Sequence, residues 1–296
     1  MQFTSVKVIR ARILGYCMGV RRAMDMAEKT LKQRSGPGRV FAMGPLIHNP
    51  QAMDALKGQG LEVLDGDELP LDLSASTVII RAHGITPQLE LTLVNRKAHL
   101  VDATCPKVKA SQLKARALHE EGYRIFLAGD RDHGEIIGIQ GYAPHCILAA
   151  NSTEAAEAAK KLLREDPEAR TALIGQTTIS PAEYRAIEER IRSFFPALEL
   201  LDTICGATEA RQDSLRSLCA EADAIVVAGG RSSANTRRLL AIARQEGKPA
   251  WLVESPAEIP PETRTFKTLG LCAGASTPES LIGAIEKALL KEGPEP

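Results

Sequence analysis

Residues 98–121 read AHLVDATC-PKVKASQLKARALHEE, an apolar, strand-like run that ends at Cys105 and turns at once into a helix-like run. The same arrangement surrounds Cys17 in VKVIRARILGYC-MGVRRAMDMAEK (6–29) and Cys205 in LELLDTIC-GATEARQDSLRSLCAE (198–221). The three cysteines are 88 and 100 residues apart, about a third of the chain each. One chemical group therefore recurs at one structural position in three successive parts of the chain.

Further apolar runs ending in a glycine or a polar turn alternate with segments of helical period. They include RVFAMG (39–44), STVIIRAHG (76–84), RIFLAGD (124–130), TALIGQT (171–177), AIVVAGG (224–230), PAWLVES (249–255) and TLGLCAGAS (268–276). This alternation predicts an α/β fold of mostly parallel sheets covered by helices. With the cysteine repeat it predicts three α/β units, 17–103, 104–202, and 1–16 joined to 203–292.

The composition of the chain argues against two classes of function, nucleic-acid binding and membrane insertion. Lys plus Arg and Asp plus Glu number 37 each, so the net charge is zero and nucleic acid is not an expected partner. No apolar run approaches the length of a membrane span, and the N-terminus lacks the apolar stretch of a signal peptide. We therefore expect a cytoplasmic protein without membrane contact, whose six cysteines are reduced.

The chemistry of the three repeated cysteines favours a metal. A thiol at a helix N-terminus faces unpaired N–H groups and the positive end of the helix dipole, which favours its thiolate. The spacing lacks the close cysteine pairs of zinc fingers and the cysteine run of ferredoxins. Three thiolates from three units could hold a cubane iron–sulfur cluster and leave one iron without a protein ligand. Cys146, Cys219 and Cys272 lie inside apolar runs, which indicates packing.

Polar side chains follow the other strand-like runs. They are His48, His83, His133, Glu135, Thr177, Thr178, Ser232, Ser233, Asn235 and Ser276. Neutral donors beside helix N-termini suit phosphate oxygens, and Glu135 is the one carboxylate of this set placed to deliver a proton, with Thr177 as a relay. Two plainer interpretations stay open: the glycine turns could be simple connections, and the serines before Asn235 a helix cap.

A family resemblance is carried by nine sequence blocks that occur in the family's order. They are GYCMGVRRA, GPLIHNP, RAHGI, VDATCP, DHGEIIG, GQTT, DTICGAT, GGRSSANTRRL and AGASTP. The chain resembles the LytB family of diphosphate reductases from about Val8 to Lys287. The resemblance implies three α/β units around a pseudo-threefold axis with a central [4Fe–4S] cluster held by Cys17, Cys105 and Cys205.

The resemblance also implies a reaction. Two electrons and two protons convert (E)-4-hydroxy-3-methylbut-2-enyl diphosphate into isopentenyl and dimethylallyl diphosphate with loss of water, the last step of the methylerythritol phosphate pathway. Glu135, His133 and Thr177 would be catalytic. The substrate would be bound by His48, His83, His133, Thr177, Ser233, Ala234, Asn235 and Ser276. The electron donor would be a ferredoxin or flavodoxin, and the chain a monomer or homodimer.

Three positions depart from the family pattern. Tyr16 replaces another aromatic residue before the first cysteine, and we expect little effect because a ring is kept. Gly134 stands between His133 and Glu135, where proline is usual, and gives freedom to the backbone that aims the acid. Ala234 offers the phosphate a backbone N–H but lacks the hydroxyl that some members have there.

Two other functions fit the same cysteines. The chain could be an iron–sulfur protein that kept the cluster without turnover. It could also hold a structural zinc ion through the three cysteines and one histidine.

Overall fold

The computed structural model describes residues 6–34, 38–47, 49–64 and 69–291. The chain forms two compact units. The first comprises Met1–Arg21, Ile47–Gly58 and Gly206–Pro296, and the second comprises Arg22–Leu46 and Gln59–Cys205.

Strands and helices alternate through most of the described residues. The strands are β1 (Lys7–Arg10), β2 (Val40–Met43), β3 (Leu61–Leu64), β4 (Thr77–Ile80), β5 (His99–Asp102), β6 (Arg124–Ala128), β7 (Ile147–Ala149), β8 (Thr171–Gly175), β9 (Glu199–Leu200), β10 (Ala224–Ala228), β11 (Ala250–Val253) and β12 (Thr268–Ala273). The helices are α1 (Met18–Lys32), α2 (Pro50–Gly58), α3 (Pro87–Asn95), α4 (Pro106–Glu120), α5 (Gly134–Tyr142), α6 (Ser152–Glu165), α7 (Pro181–Arg192), α8 (Gly206–Glu221), α9 (Ala234–Gln245) and α10 (Glu279–Leu290). The exceptions to the alternation are two strand pairs, β3 with β4 and β11 with β12, between which no α-helix is described. Each of the seven apolar runs of the sequence contains one of these strands.

The strands form three four-stranded sheets in which every pairing is parallel. The orders are β1–β12–β10–β11 in the first unit, and β5–β4–β2–β3 and β9–β8–β6–β7 in the second. In each sheet an edge strand, β1, β5 or β9, leads to one of the three repeated cysteines. The predicted α/β fold with parallel sheets is therefore confirmed.

The three sheets share one topology. In β2–β5 and in β6–β9, the first strand lies between the second and third, and the fourth pairs with the third. The first unit repeats this order with β10, β11 and β12, and β1 from the N-terminal end of the chain takes the fourth place. The division into units 17–103, 104–202 and 1–16 plus 203–292, and the pseudo-threefold axis, stay predictions; each such unit contains the strands of one sheet.

The central strands are mostly apolar because they are buried on both faces. In β10, Ile225 and Val227 pack with residues of α8 and α9, whereas Val226 and Ala228 pack with residues of α10. In the second unit, Phe126 of β6 packs with α6 and α7, and Leu127 with α4 and α5. No helix in the described part of the chain is long and apolar enough to cross a membrane.

The helix starts follow local chemistry. Pro87, Pro106 and Pro181 occupy the first turns of α3, α4 and α7, where the missing N–H costs no helical bond. Side chains that accept an N–H of the first turn precede several helices; they are Thr86, His133, Asn151, Ser180 and Ser233. Two of these caps, His133 and Ser233, are also candidate site residues, so capping alone explains part of their position.

One buried hydroxyl stabilises the strand that leads to Cys205. The Tyr184 hydroxyl lies 2.9 Å from the carbonyl oxygen of Leu173 and 3.0 Å from that of Leu201. We predict that Tyr184→Phe lowers the free energy of unfolding by about 1–2 kcal/mol, because two buried carbonyls lose their shared donor. Urea denaturation measures this. Tyr123→Phe is the control, since the Tyr123 hydroxyl makes no hydrogen bond among the described residues; an equal loss in both variants would contradict the prediction.

Candidate functional site

The three repeated cysteines occupy one backbone position. In each case the cysteine N–H donates to the carbonyl oxygen of the residue two places beyond the end of the neighbouring strand. The pairs are Cys17 to Ala275 after β12 (3.2 Å), Cys105 to Ala82 after β4 (2.9 Å) and Cys205 to Thr177 after β8 (2.8 Å). The threefold pattern read from the sequence is therefore also a pattern of hydrogen bonds.

Each of these cysteines directly precedes a helix, α1, α4 or α8. All three are half-buried, and none of the six cysteines forms a disulfide. The Cys105 side chain makes no capping hydrogen bond to its helix. A half-buried thiol at a helix N-terminus is accessible to a metal.

The other three cysteines have a different environment. Cys219 and Cys272 are buried in the apolar core of the first unit, and Cys146 packs against that of the second. Burial raises the pKa of Cys146 to about 11 and that of Cys272 to about 12. These are neutral packing thiols, as their apolar sequence context indicates.

The donor set fits an iron–sulfur cluster by its chemistry. Thiolates are the soft ligands that hold such clusters, and these three share one placement before a helix. Among the described residues, no three His, Cys, Asp or Glu side chains are grouped so as to hold a single metal ion, so the fit to a cluster rests on the chemistry of the thiolates. Cys17 belongs to the first unit, and Cys105 and Cys205 belong to the second.

In the second unit the turn after β4 and the start of α5 bring two predicted residues together. The rings of His83 and His133 meet edge to face, with centroids 4.8 Å apart. His133 caps α5, because its Nδ1 accepts the Glu135 N–H at 3.2 Å. A neutral His133 therefore carries its ring proton on Nε2.

Glu135 is a buried carboxyl, 1% exposed, with both oxygens held by Thr177. The Thr177 N–H donates to Oε1 at 2.7 Å, and the Thr177 hydroxyl lies 2.8 Å from Oε2. Burial raises the pKa of Glu135 to about 7, against these two hydrogen bonds, which lower it. Near neutral pH this carboxyl exists in both protonation states, as a general acid requires.

Thr177 links this acid to a cysteine. Its N–H and hydroxyl bind Glu135, and its carbonyl accepts the N–H of Cys205 at 2.8 Å. Gln176, the preceding residue, is also fixed, because its Oε1 accepts the Asp130 N–H at 2.9 Å. Glu135 and Cys205 are thus both hydrogen-bonded to Thr177, in the segment after β8.

Gly134 has a packing role as well as a conformational one. It is the first residue of α5, and a Cβ at this position would lie 2.5 Å from Nη2 of Arg81. A Cβ at Gly44 would lie 2.8 Å from Nη1 of the same side chain. The two glycines leave room for the Arg81 guanidinium beside the first turn of α5, while the His133 cap and Thr177 hold Glu135.

In the first unit the predicted phosphate residues lie at the ends of β10 and β12. Ser233 caps α9 by accepting the Thr236 N–H at 3.4 Å. The buried Nδ2 of Asn235 has no hydrogen-bond partner among the described residues, nor has the buried hydroxyl of Thr236. Ser276 is buried and directly follows Ala275, the partner of Cys17. A helix N-terminus with an unused amide donor suits a phosphate.

Two predicted residues receive no side-chain description. His48 lies outside the described residues, and Ala234 begins α9 with only its backbone described. The sequence did not reveal that Gln112 and Arg211, which lie on helices, are buried. Arg231, whose place beside the turn after β10 suggested a contact with an anion, pairs with Glu254 and Glu258 at 2.6 and 2.5 Å.

Comparison with known proteins matches the chain, over nearly its full length, to one family model and to reductases of one name. The family model described as LytB protein matches residues 8–290. A 4-hydroxy-3-methylbut-2-enyl diphosphate reductase of Treponema denticola is 43% identical over 293 residues, which cover 96% of this chain and 99% of the relative. The reductase of the same name from Aquifex aeolicus is 35% identical over 285 residues, 96% of each chain.

Solved structures show the same fold. One, of (E)-4-hydroxy-3-methyl-but-2-enyl diphosphate reductase, the terminal enzyme of the non-mevalonate pathway, aligns with a TM-score of 0.74 at 35% identity, covering 96% of this chain and 99% of that one. The E-1-hydroxy-2-methyl-but-2-enyl-4-diphosphate reductase of Plasmodium falciparum aligns with a TM-score of 0.85 at 27% identity, covering 97% and 89%.

Fold and side chains together define a class: α/β proteins with three parallel sheets and a cysteine after an edge strand of each. Matches over nearly the full length, at up to 43% identity, narrow the class to one family. The chain belongs to the LytB family.

The hydroxyl of Thr177 offers a test of how Glu135 is held. We predict that Thr177→Val raises the pKa of Glu135 above about 7, by about one pKa unit or more, because the carboxylate loses a hydrogen bond. Carbon-13 NMR titration of the Glu135 carboxyl measures this. Thr178→Val is the control, since that hydroxyl bonds Gln176 instead. An unchanged or lowered pKa in Thr177→Val would refute the predicted role.

Proposed function

We infer that the chain is a 4-hydroxy-3-methylbut-2-enyl diphosphate reductase, which catalyses the terminal step of the non-mevalonate pathway to isoprenoids. Membership of the LytB family over residues 8–290 and the full-length reductase relatives support this activity. The observation that carries it is the segment after β8, where a buried acid with a pKa of about 7 and the cysteine Cys205 are bound to the same threonine.

We propose that Cys17, Cys105 and Cys205 are the protein ligands of a [4Fe–4S] cluster. Their matching backbone positions, their half-burial and their places before three helices support this assignment. When bound, the cluster would supply the two electrons of the reduction and one iron without a protein ligand.

The proposed diphosphate residues are neutral donors that follow strand ends or begin a helix. In the second unit His83 stands in the turn after β4 and contacts His133. In the first unit the N-terminus of α9, with Ser233, the Ala234 N–H and Asn235, and the segment with Ser276 offer neutral donors. We assign the diphosphate to these residues and to His48, because N–H and O–H donors at a helix start bind anions without requiring a net positive charge.

Glu135 and Thr177 are the proposed proton source for the leaving hydroxyl. A protonated Glu135 can donate from Oε2 to the Thr177 hydroxyl, 2.8 Å away, while Thr177 passes its own proton to the substrate oxygen. His133 would orient the substrate through Nε2, since its Nδ1 is occupied by the Glu135 N–H. With two electrons and a second proton to carbon, the products are water and the C5 diphosphates.

The remaining parts of the proposal concern the setting of the enzyme. We propose a cytoplasmic location on the composition of the chain. The family resemblance suggests a ferredoxin or flavodoxin as electron donor, and we propose a monomeric or homodimeric state.

Iron binding separates the three proposed ligands from the other cysteines. We predict that Cys17→Ser, Cys105→Ser and Cys205→Ser each reduce turnover at least about 100-fold and lower the iron content, because each removes a cluster ligand. Anaerobic purification, iron and sulfide analysis, and turnover of the hydroxylated C5 diphosphate with reduced viologen dye measure this.

The matched control is Cys146→Ser, a packing cysteine that should keep both iron and activity. A brown wild-type protein that bleaches in air would exclude a zinc site. If Cys146→Ser bleached the protein and Cys105→Ser did not, the assignment would be wrong.

The acid is tested separately from the metal. We predict that Glu135→Gln keeps its iron but turns over about 10²- to 10⁴-fold more slowly, because the amide cannot deliver a proton. In the wild type, kcat should fall as pH rises through about 7, where Glu135 loses its proton. Glu189→Gln, an exposed change on α7, is the control. If iron-replete Glu135→Gln turned over as fast as the wild type, another residue would be the acid. If the iron-replete wild type itself showed no turnover, the chain would be a non-catalytic iron–sulfur protein.

A further inference from the structure

Arg211 is a buried cation in the first unit. It lies in the second turn of α8 and is 3% exposed. Its Nη1 donates to the carbonyl oxygen of Ala273, the last residue of β12, at 3.0 Å. Within the described ranges no carboxylate pairs with Arg211. The arginines that do form ion pairs have side chains that are at least a third exposed, so Arg211 differs from them in both burial and pairing. A buried charge is costly unless an opposite charge stands nearby, so Arg211 requires an anion.

Burial lowers the pKa of the Arg211 guanidinium, and the thiols of Cys17 and Cys272 act in the opposite direction. Cys272 is fully buried in the apolar core, and burial raises the pKa of its thiol to about 12. A thiol with that pKa is neutral at physiological pH and cannot balance a guanidinium. The other thiol, that of Cys17, is half-buried and directly precedes α1.

The backbone fixes Arg211 and Cys17 on the same short segment. The carbonyl of Ala273 accepts from Arg211, and the carbonyl of Ala275, two residues further, accepts the Cys17 N–H at 3.2 Å. Gly274 between them is also held, since its N–H donates to Ala228 at 3.0 Å. The guanidinium and the cysteine are therefore positioned by consecutive parts of one rigid strand end.

We propose that Arg211 is a positioning residue of the metal site, whose buried guanidinium balances the negative charge of the ligating Cys17 thiolate and of the group bound to it. The proposal rests on the proposed function, because the thiolate is negative when it serves as a cluster ligand. A fixed positive charge beside a ligating sulfur favours the reduced, more negative form of an iron–sulfur cluster and so raises its reduction potential. Arginine suits this place because its guanidinium stays charged when buried.

The test compares charge and shape at position 211 in the reconstituted holoenzyme. Arg211→Gln removes the charge and keeps an N–H donor, and Arg211→Lys keeps the charge. Arg216→Gln is the matched control, five residues along the same helix, where the arginine is exposed and paired with Asp213 at 2.8 Å. The readouts are the midpoint potential from a dye-mediated anaerobic titration, and the rate of iron loss to a chelator.

We expect Arg211→Gln to shift the midpoint potential to a more negative value and to lose iron about 10- to 100-fold faster. Arg211→Lys and Arg216→Gln should stay close to the wild type in both readouts. A wild-type potential in iron-replete Arg211→Gln would overturn the proposal, and so would a raised KM for the diphosphate with no change in potential, which would assign Arg211 to the substrate.

The lysine variant keeps the proposal falsifiable if Arg211→Gln does not fold. Arg211→Lys with wild-type potential supports a role of the charge, whereas a lowered potential in folded, iron-replete Arg211→Lys shows that the shape of the side chain matters and refutes the electrostatic role. Failure of the proposed function has a different signature: the wild type itself would bind no iron, whatever stands at position 211.

Discussion

In each sheet, one edge strand pairs in parallel with its neighbour, and this pairing determines where the cysteine and the polar side chains lie. The pairs are β1 with β12, β5 with β4 and β9 with β8. Because the strands are parallel, the carboxyl end of the edge strand lies beside the carboxyl end of its neighbour, and the residues after both ends share one rim. The hydrogen bond from each repeated cysteine to the turn after the neighbouring strand is the local expression of that pairing. It ties Cys105 to the turn that carries His83, Cys205 to Thr177, and Cys17 to the segment before Ser276.

Much of this could be predicted from the sequence, for a physical reason. Central parallel strands are buried on both faces, so they appear as unbroken apolar runs, as AIVVA in β10 does. Short edge strands give a much weaker signal. For example, β3 has four residues and β7 has three, and both are partly exposed, so the sequence pattern did not predict them. The polar residues after the strands, such as His133 and Glu135, were recognisable because their position beyond an apolar run is itself informative.

Other residues could not be found this way. Arg211 and Gln112 lie on helices, where a charged or amide side chain ordinarily marks the solvent face. Both are buried, and only the packed structure shows it. The amide Nε2 of Gln112 even lacks a hydrogen-bond partner among the described residues, and a Cβ at Gly84 would lie 2.4 Å from it. Burial of such groups is a tertiary property that helical periodicity does not encode.

Burial and hydrogen bonding act in opposite directions on the pKa of Glu135. Full burial can raise a carboxyl pKa by up to about 3–5 units, whereas a place in the first turn of a helix lowers it by less than about one, since the dipole contributes about 1 kcal/mol. The two hydrogen bonds from Thr177 also lower the pKa, and burial still prevails, at about 7. Without Thr177 the proton would be held too tightly to be given up, and without burial the carboxyl would be ionised before substrate arrived. The threonine proposed as the proton relay therefore also influences how readily Glu135 releases its proton.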